Sequence, residues 1–481
     1  MKIQAFRNSL RLQPLALALL AACAVSGCAL APAYHVPATP APAVYKEGQD
    51  WLPAAPADAL ERGPWWQLFG DPILNDLAAS IEVSNQNIAA AIANYAQARA
   101  LVAEQRASLF PSVDLTGGAT RSGAGSASNP AGGGSTASNQ YRANIGASWE
   151  PDIWGKLRSG VNGASANAQA SAADLAAARL SAQGELATDY ISLRQYDAQI
   201  TLLASTTDGY QRVLTITQNR FNAGIAAKSD VLQAQTQLTN AQIDQITAQR
   251  QRAVLEHAIA VLLGKAPAEF TLVAGPWRVQ VPDVPLGLPS TLLQRRPDIA
   301  GAERRVAAAN EQIGVARAAY FPDISLSASY GYGASKVGGL FNASNNAWSL
   351  GLSAAQTVFD AGAISARVTQ AEAGRDAAIA QYRQTVLAAF ADVENQLTAT
   401  RALMRQQDLY RIASEAADQV EAQLLNRYRS GQVSYTDVVT AQNTALAARR
   451  ALVQAQADRQ TTAVALIQSL GGGWHAQEGV R

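Results

Sequence analysis

Ile324-Ser325-Leu326-Ser327-Ala328-Ser329-Tyr330-Gly331-Tyr332-Gly333 alternates apolar with small polar residues along its whole length. Successive side chains of a strand point to opposite faces, so this segment reads as a strand with one apolar and one polar face. Trp348, Leu350, Leu352 and Ala354 alternate in the same way with Ser349, Gly351, Ser353 and Ala355. Tyr141, Ala143, Ile145, Ala147 and Trp149 alternate with Arg142, Asn144, Gly146 and Ser148, and residues 113–121 repeat the pattern more weakly. A half-buried strand in a soluble sandwich has the same period. Four such segments of about nine to eleven residues, with aromatics near their ends, fit the wall of a transmembrane barrel. Four strands do not close around a lumen, and an open edge in lipid leaves backbone groups unpaired at a cost of several kcal/mol each. The barrel is therefore expected to be shared between chains, three copies supplying about twelve strands. The connections 122–139 and 336–347 are rich in Gly, Ser and Asn and read as surface loops.

Outward from the strands the chain is helical and written twice. Arg220-Phe221-Asn222-Ala223-Gly224, continuing to Ser229-Asp230-Val231-Leu232-Gln233-Ala234-Gln235, matches Arg427-Tyr428-Arg429-Ser430-Gly431, continuing to Thr436-Asp437-Val438-Val439-Thr440-Ala441-Gln442. The offset is 427 − 220 = 207, without a gap. Phe110-Pro111 and Phe321-Pro322 form a second pair, each closing a helical pattern, because the residue before proline is pushed out of the helical region. Helices are expected over 72–109, 156–219 and 229–263 in the first copy, and over 288–319, 361–426 and 436–470 in the second. At 1.5 Å per residue the long ones reach roughly 90 to 100 Å and the short ones about half that, so two short helices end to end match one long one. The expected organisation is a leader at 1–27, a Pro-rich segment at 28–71, repeats at 72–275 and 276–474, and a tail at 475–481.

The N-terminus carries an address. Lys2, Arg7 and Arg11 precede an apolar stretch over 15–25 that is too short to span a bilayer. It ends in Val25-Ser26-Gly27-Cys28, the pattern of a bacterial lipobox, in which Cys28 receives lipid and becomes the new N-terminus. Ala29, where Asp would retain a lipoprotein at the inner membrane, points outward. Prolines at 32, 37, 40, 42, 53, 56 and 64 make the next segment an extended tether. Cys23 leaves with the leader, so no thiol pair remains for a disulfide or a metal, and His35, His257 and His475 are too scattered for ligands. A net charge of +1 gives no reason to expect nucleic acid, and the low charged fraction of 16% fits helices that bury more than one face.

On these residues the chain resembles the TolC superfamily, specifically the outer-membrane lipoprotein factors of the NodT and OprM type. The likeness is carried by Cys28 with its tether, Trp65-Trp66-Gln67-Leu68-Phe69-Gly70-Asp71-Pro72, both Phe-Pro junctions, Trp149-Glu150-Pro151-Asp152-Ile153-Trp154-Gly155-Lys156, Arg295-Arg296-Pro297-Asp298-Ile299 and both glycine turns. It implies a mainly helical chain with a membrane barrel part: a long periplasmic helical barrel and four strands per chain, closing a twelve-stranded barrel as a homotrimer in the outer membrane. Such a chain serves as the exit duct of a tripartite efflux pump, without catalysis and without a cofactor beyond the lipid on Cys28.

The resemblance also implies partners and sites. The turns at Gly224 and Gly431 would be periplasmic tips that dock an adaptor (membrane fusion) protein, itself joined to an inner-membrane transporter of the resistance-nodulation-division class. Asp437 would ring the threefold axis as a gate, with Asp230 at the matching site of the first repeat. Tyr428 would tether one hairpin to the other, with Asp230 as its natural acceptor. Two departures weaken that scheme: a second carboxylate of the ring is replaced by Thr440, and the basic partner before Asp437 by Val433. Both aspartates are equally explained as helix N-terminal carboxylates favoured by the dipole.

Other readings stand beside the drug duct: a duct for protein or peptide secretion, a heavy-metal exporter, a soluble coiled-coil spacer and an envelope enzyme. The sequence offers an enzyme no nucleophile elbow and no metal cluster, and Asp174, Glu185 and Asp189 read as scattered solvated charges on helices.

Overall fold

A computed structural model of the chain describes residues 30–39, 42, 44–47, 64–123, 137–282, 284 and 296–472. The leader, Cys28 and the tail 475–481 fall outside them. In chain order the elements are α1 (Pro72–Ser84), α2 (Gln86–Ala107), β1 (Ser112–Ser122), β2 (Ser138–Trp149), α3 (Lys156–Asn222), α4 (Lys228–Leu262), α5 (Pro297–Ala318), β3 (Asp323–Ala334), β4 (Asn346–Ala355), α6 (Ala363–Arg429) and α7 (Tyr435–Ser469). The long helices α3 and α6 each run 67 residues, and α4 and α7 each run 35.

Two expected helices are corrected. The helix over 72–109 is broken at Asn85, whose backbone is extended (φ −69°, ψ 124°). Its Oδ1 accepts from the amides of Asn87 (2.9 Å) and Ile88 (3.0 Å), capping α2, while its Nδ2 donates to the carbonyl of Leu262 (2.7 Å). A short amide side chain offers the backbone an alternative to the next helical hydrogen bond, and helical periodicity alone does not reveal which asparagine will take it. Of the helix expected over 288–319, α5 begins at Pro297, where the missing N–H costs nothing; Arg296 before it is not helical, and residues 288–295 lie outside the described residues.

The described residues fall into two compact units. One takes in residues up to 37, 95–171 and 302–382. Its sheet has the order β1-β2-β3-β4, every neighbour antiparallel. The register puts Leu115, Ile145, Tyr330 and Trp348 in one row and Asp114, Gly146, Ser329 and Ser349 in the next, so the alternation read from the sequence becomes two chemically distinct faces. On the polar face serines pair across strands: Ser112 with Ser148 (2.8 Å), Ser325 with Ser353 (2.8 Å) and Ser329 with Ser349 (2.7 Å). Trp154 stacks on Phe321 (4.8 Å, 22°) and donates to the carbonyl of Pro322 (2.8 Å), so the first repeat's aromatic motif holds the second repeat's Phe-Pro junction. Asp152 caps α3 through the amides of Leu157 (3.0 Å) and Arg158 (2.9 Å). Asp360 caps α6 through Gly362 (2.9 Å) and Ile364 (2.6 Å), and those amides hold its carboxyl below the usual carboxylate range. The N-terminal strap lies on α5, with Asn310 donating to the carbonyl of Pro32 (2.7 Å) and Tyr34 to the Glu303 carboxylate.

The other unit takes in 38–94, 172–301 and 383 onward among the described residues. Its centre is polar as well as apolar. Arg194 on α3 is 1% exposed and reaches Asp197 (2.8 Å), the hydroxyl of Tyr190 (3.1 Å) and the carbonyl of Val273 (2.9 Å). Asp197 also accepts from Arg252 (2.7 Å), which pairs with Glu256 (3.0 Å). Tyr190 donates to Asp71 (2.7 Å), whose other oxygen caps α1 through the amide of Ile73 (2.9 Å). Trp65 is buried against Trp66 and Phe69.

Asp189 is not a solvated charge. It is half-buried one helical turn from Glu185, and burial first, then that carboxylate, push its carboxyl up to about 6. Its folded value therefore lies above the unfolded one, so stability falls as pH rises from about 4 to about 6 and the penalty persists above that window. Asp189→Asn is expected to raise the unfolding midpoint at pH 8 and to lose the advantage below about pH 4. Equal midpoints for the two proteins at pH 8 would remove this reading of Asp189.

Candidate functional site

The two glycine turns have the same construction, which the repeat alone predicts. At the end of α3 the amide of Ile225 bonds the carbonyl of Arg220 (2.8 Å) and that of Gly224 bonds Phe221 (2.8 Å). At the end of α6 the amide of Gln432 bonds Arg427 (2.9 Å) and that of Gly431 bonds Tyr428 (2.9 Å). This six-to-one and inner pairing is a Schellman ending, which needs a left-handed residue, and Gly224 and Gly431 have φ of +74° and +75°. A Cβ at either would meet nothing within 4 Å. Conformation, not crowding within the chain, is what requires glycine there.

The structure brings Tyr428 and Arg220 together, and not in the way expected. The Tyr428 ring is buried with Val213, Ala234, Tyr435 and Val438. Its hydroxyl has no hydrogen-bond partner among the described residues, so the tether to Asp230 is not formed. Instead Arg220 lies over the ring (4.7 Å to its centroid) and donates to the carbonyls of Tyr428 (2.9 Å) and Arg429 (3.2 Å). One guanidinium thus joins the two turns through a ring face and two carbonyls that the first glycine ending alone would not reach. Val433, in place of a basic partner, packs against the same cluster. The sequence signal for Arg220 was its repeat mate Arg427, but only one of the two closes the gap; Arg427 is exposed.

The aspartates differ as well. Asp437 is exposed and engaged in a capping box, its Oδ2 accepting from the amide (3.0 Å) and hydroxyl (2.7 Å) of Ser434. At the matching place in the first repeat Ala227 offers no cap, and half-buried Asp230 receives, among the described residues, only the Ser229 hydroxyl at 3.4 Å. The helix-terminal reading of Asp437 is therefore the one realised within a single chain. Tyr435, beside both, has its hydroxyl pushed far up by burial, with Tyr428, Tyr210 and Asp230 adding to the effect. A shallow open cleft of about 590 Å³ between the turns is lined by Ile216, Arg220, Ile225, Arg429, Ser430 and Gly431, and Ile225 is 67% exposed. Among the described residues no group of three metal-binding side chains occurs, and no helix is long and apolar enough to cross a membrane.

The chain matches the family described as outer membrane efflux protein over residues 77–265 and 288–472, each segment holding one glycine turn. It is 33% identical over 463 residues to the probable efflux pump outer membrane protein TtgC of Pseudomonas putida, covering 93% of each chain. It is 32% identical over 435 residues to the pyoverdine export outer membrane protein OpmQ of Pseudomonas aeruginosa, covering 89% of this chain and 90% of the relative. Its fold superimposes on the outer-membrane channel OprN with a TM-score of 0.85 at 30% identity, covering 93% of this chain and all of that one.

Proposed function

The chain belongs to the outer membrane efflux protein family and is an outer-membrane efflux channel of the TolC-like fold, and from that premise we propose that it works as a lipid-anchored trimer docked at its glycine turns. The carrying observation is the sheet. Its apolar face suits lipid and its serine-rich face suits a lumen, while β1 and β4 are each paired on one side only. Those edges must be closed in a bilayer, and further copies of the same chain close them. The expected partners are a periplasmic adaptor at the cleft between the turns and an inner-membrane proton-driven transporter beyond it. The expected cargo is small organic toxicants and drugs, chosen by the transporter. In the trimer three Asp437 carboxylates, held by Ser434, would edge the closed aperture, with Asp230 and the Arg220–Tyr428 contact fixing the hairpins around them.

The test is complementation of a deletion strain. Gly224→Leu and Gly431→Leu each impose about 1–2 kcal/mol of left-handed strain and add a side chain pointing into open space. Both are expected to leave trimers and membrane insertion intact while drug susceptibility rises toward that of the deletion. Normal efflux from both variants would mean the glycines serve only the turn. The anchor is tested separately: Cys28→Ala is expected to abolish lipid labelling, and unchanged labelling would sink the lipobox reading.

A further inference from the structure

The polar face of the sheet carries few charges among the described residues, and they stand at different depths. Asp323, at the start of β3, is paired with Lys156 (3.3 Å). Asp114 lies two residues into β1 and is opposite Gly146. Arg142 lies opposite Gly118 on β1 and Gly333 on β3, which puts it four residues, about 13 Å, further along the strands than Asp114.

The surroundings of Arg142 are bare. A Cβ at Gly118 would meet nothing within 4 Å, and one at Gly333 only the Tyr141 carbonyl at 3.9 Å. Both cross-strand neighbours therefore withhold a side chain, and the guanidinium is left exposed. It donates to Gln140 Oε1 (2.8 Å), a neutral acceptor two residues back on the same face, and no carboxylate among the described residues forms an ion pair with it. The serines elsewhere on this face bond one another across strands, so they offer passing solutes a neutral wall.

We propose that Arg142 is a selectivity residue of the pore: three copies form an electropositive ring beyond Asp114 that favours anionic solutes over cations. The proposal rests on the trimeric, lumen-facing reading given above. A twelve-stranded barrel is roughly 24 Å across, so the axis lies about 12 Å from the wall. At 0.01 M salt the Debye length is about 30 Å and the ring's field fills the lumen; at 1 M it is about 3 Å and the field does not reach the axis. Arg is suited to this because its charge does not titrate and its planar fork meets carboxylate and phosphate groups. The solutes favoured are those carrying such groups.

The experiment is reversal-potential measurement on trimers of the full chain in planar bilayers, under a potassium chloride gradient. Arg142→Gln is expected to lower the anion-to-cation permeability ratio by about twofold or more at low salt, with little effect at 1 M. Arg142→Lys is expected to keep the parent ratio, and Asp114→Asn to raise it. A ratio unchanged in Arg142→Gln would overturn the proposal. Arg142→Cys, treated with a membrane-impermeant charged thiosulfonate, separates the two layers of the argument. Modification with no change in ratio rejects the selectivity role alone, whereas no modification in conducting trimers rejects the lumen-facing reading beneath it.

Discussion

Arg194→Met is expected to destabilise the protein by about 3 kcal/mol or more, the range for breaking a buried charge pair by removing one partner. Arg194 is almost fully buried, and it satisfies Asp197, Tyr190 and the carbonyl of Val273 at once. Methionine fills much of the volume but leaves Asp197 dependent on Arg252 alone and the carbonyl without its donor. The consequence reaches further than the contact. Arg194 fixes Tyr190, Tyr190 holds Asp71, and Asp71 caps α1, so the loss is expected to loosen the segment from Trp65 to Pro72 as well. A fall in the thermal midpoint of about 3 °C or more, with faster proteolysis near Gly70, is the expected reading. The double variant Arg194→Met with Asp197→Leu should recover part of the loss, because replacing both partners by apolar groups removes the stranded charge. A midpoint within a degree of the parent for Arg194→Met alone would show that Arg252 suffices.

Local rules carried much of this fold in the sequence, and the rest depended on partners distant in the chain. Alternation fixes the faces of β3 and β4 because a strand's period is two whatever it pairs with, so Ile324 to Gly333 needed no tertiary information. The duplication fixed both glycine endings, since a Schellman ending is built from residues within one turn. Arg194 was not legible: nothing within α3 distinguishes it from the exposed arginines, and its partners lie as far away as Val273. Asp189 was misread because position on a helix does not by itself report burial, and burial is the larger cause that raises its carboxyl. The tether at Tyr428 failed where resemblance was carried over position by position. With Val433 supplying an apolar neighbour instead of a charge, the ring is sunk into a cluster and its hydroxyl is left without a partner.

The capping asymmetry shows what a duplicated chain can change without changing its fold. Ser434 and Ala227 stand at the same place in the two repeats, yet only Ser434 offers an oxygen to the following helix. A serine cap is worth about 1 kcal/mol over alanine, so α7 is the more firmly started of the two. Its carboxylate is locked, while Asp230 keeps more freedom to meet a neighbour. The two turns are thus equal in backbone and unequal in side-chain chemistry, which a docking partner that approaches both would distinguish.

Gly331→Val is expected to abolish barrel assembly. Gly331 pairs with Asn144 in the register of β2 and β3. A Cβ there would stand 2.6 Å from the carbonyl oxygen of Ala143, 2.7 Å from Asn144 Oδ1 and 2.9 Å from Asn144 Cα. Two of those atoms belong to the neighbouring backbone, which yields only by opening the ladder, and in a bilayer each unpaired backbone group costs several kcal/mol. Gly331 lies on the serine-rich face, so lumen water reaches the opened ladder from one side only, and the lipid-facing side offers none. Gly118→Val is the control: the same substitution, two strands away on the same face, meets nothing within 4 Å and suits a strand. Trimers that resist detergent should therefore be lost for Gly331→Val and kept for Gly118→Val, and only the first should leave a deletion strain as drug-susceptible as no channel at all. Assembly of Gly331→Val at the parent level would show that β2 and β3 are not held in this register in the membrane.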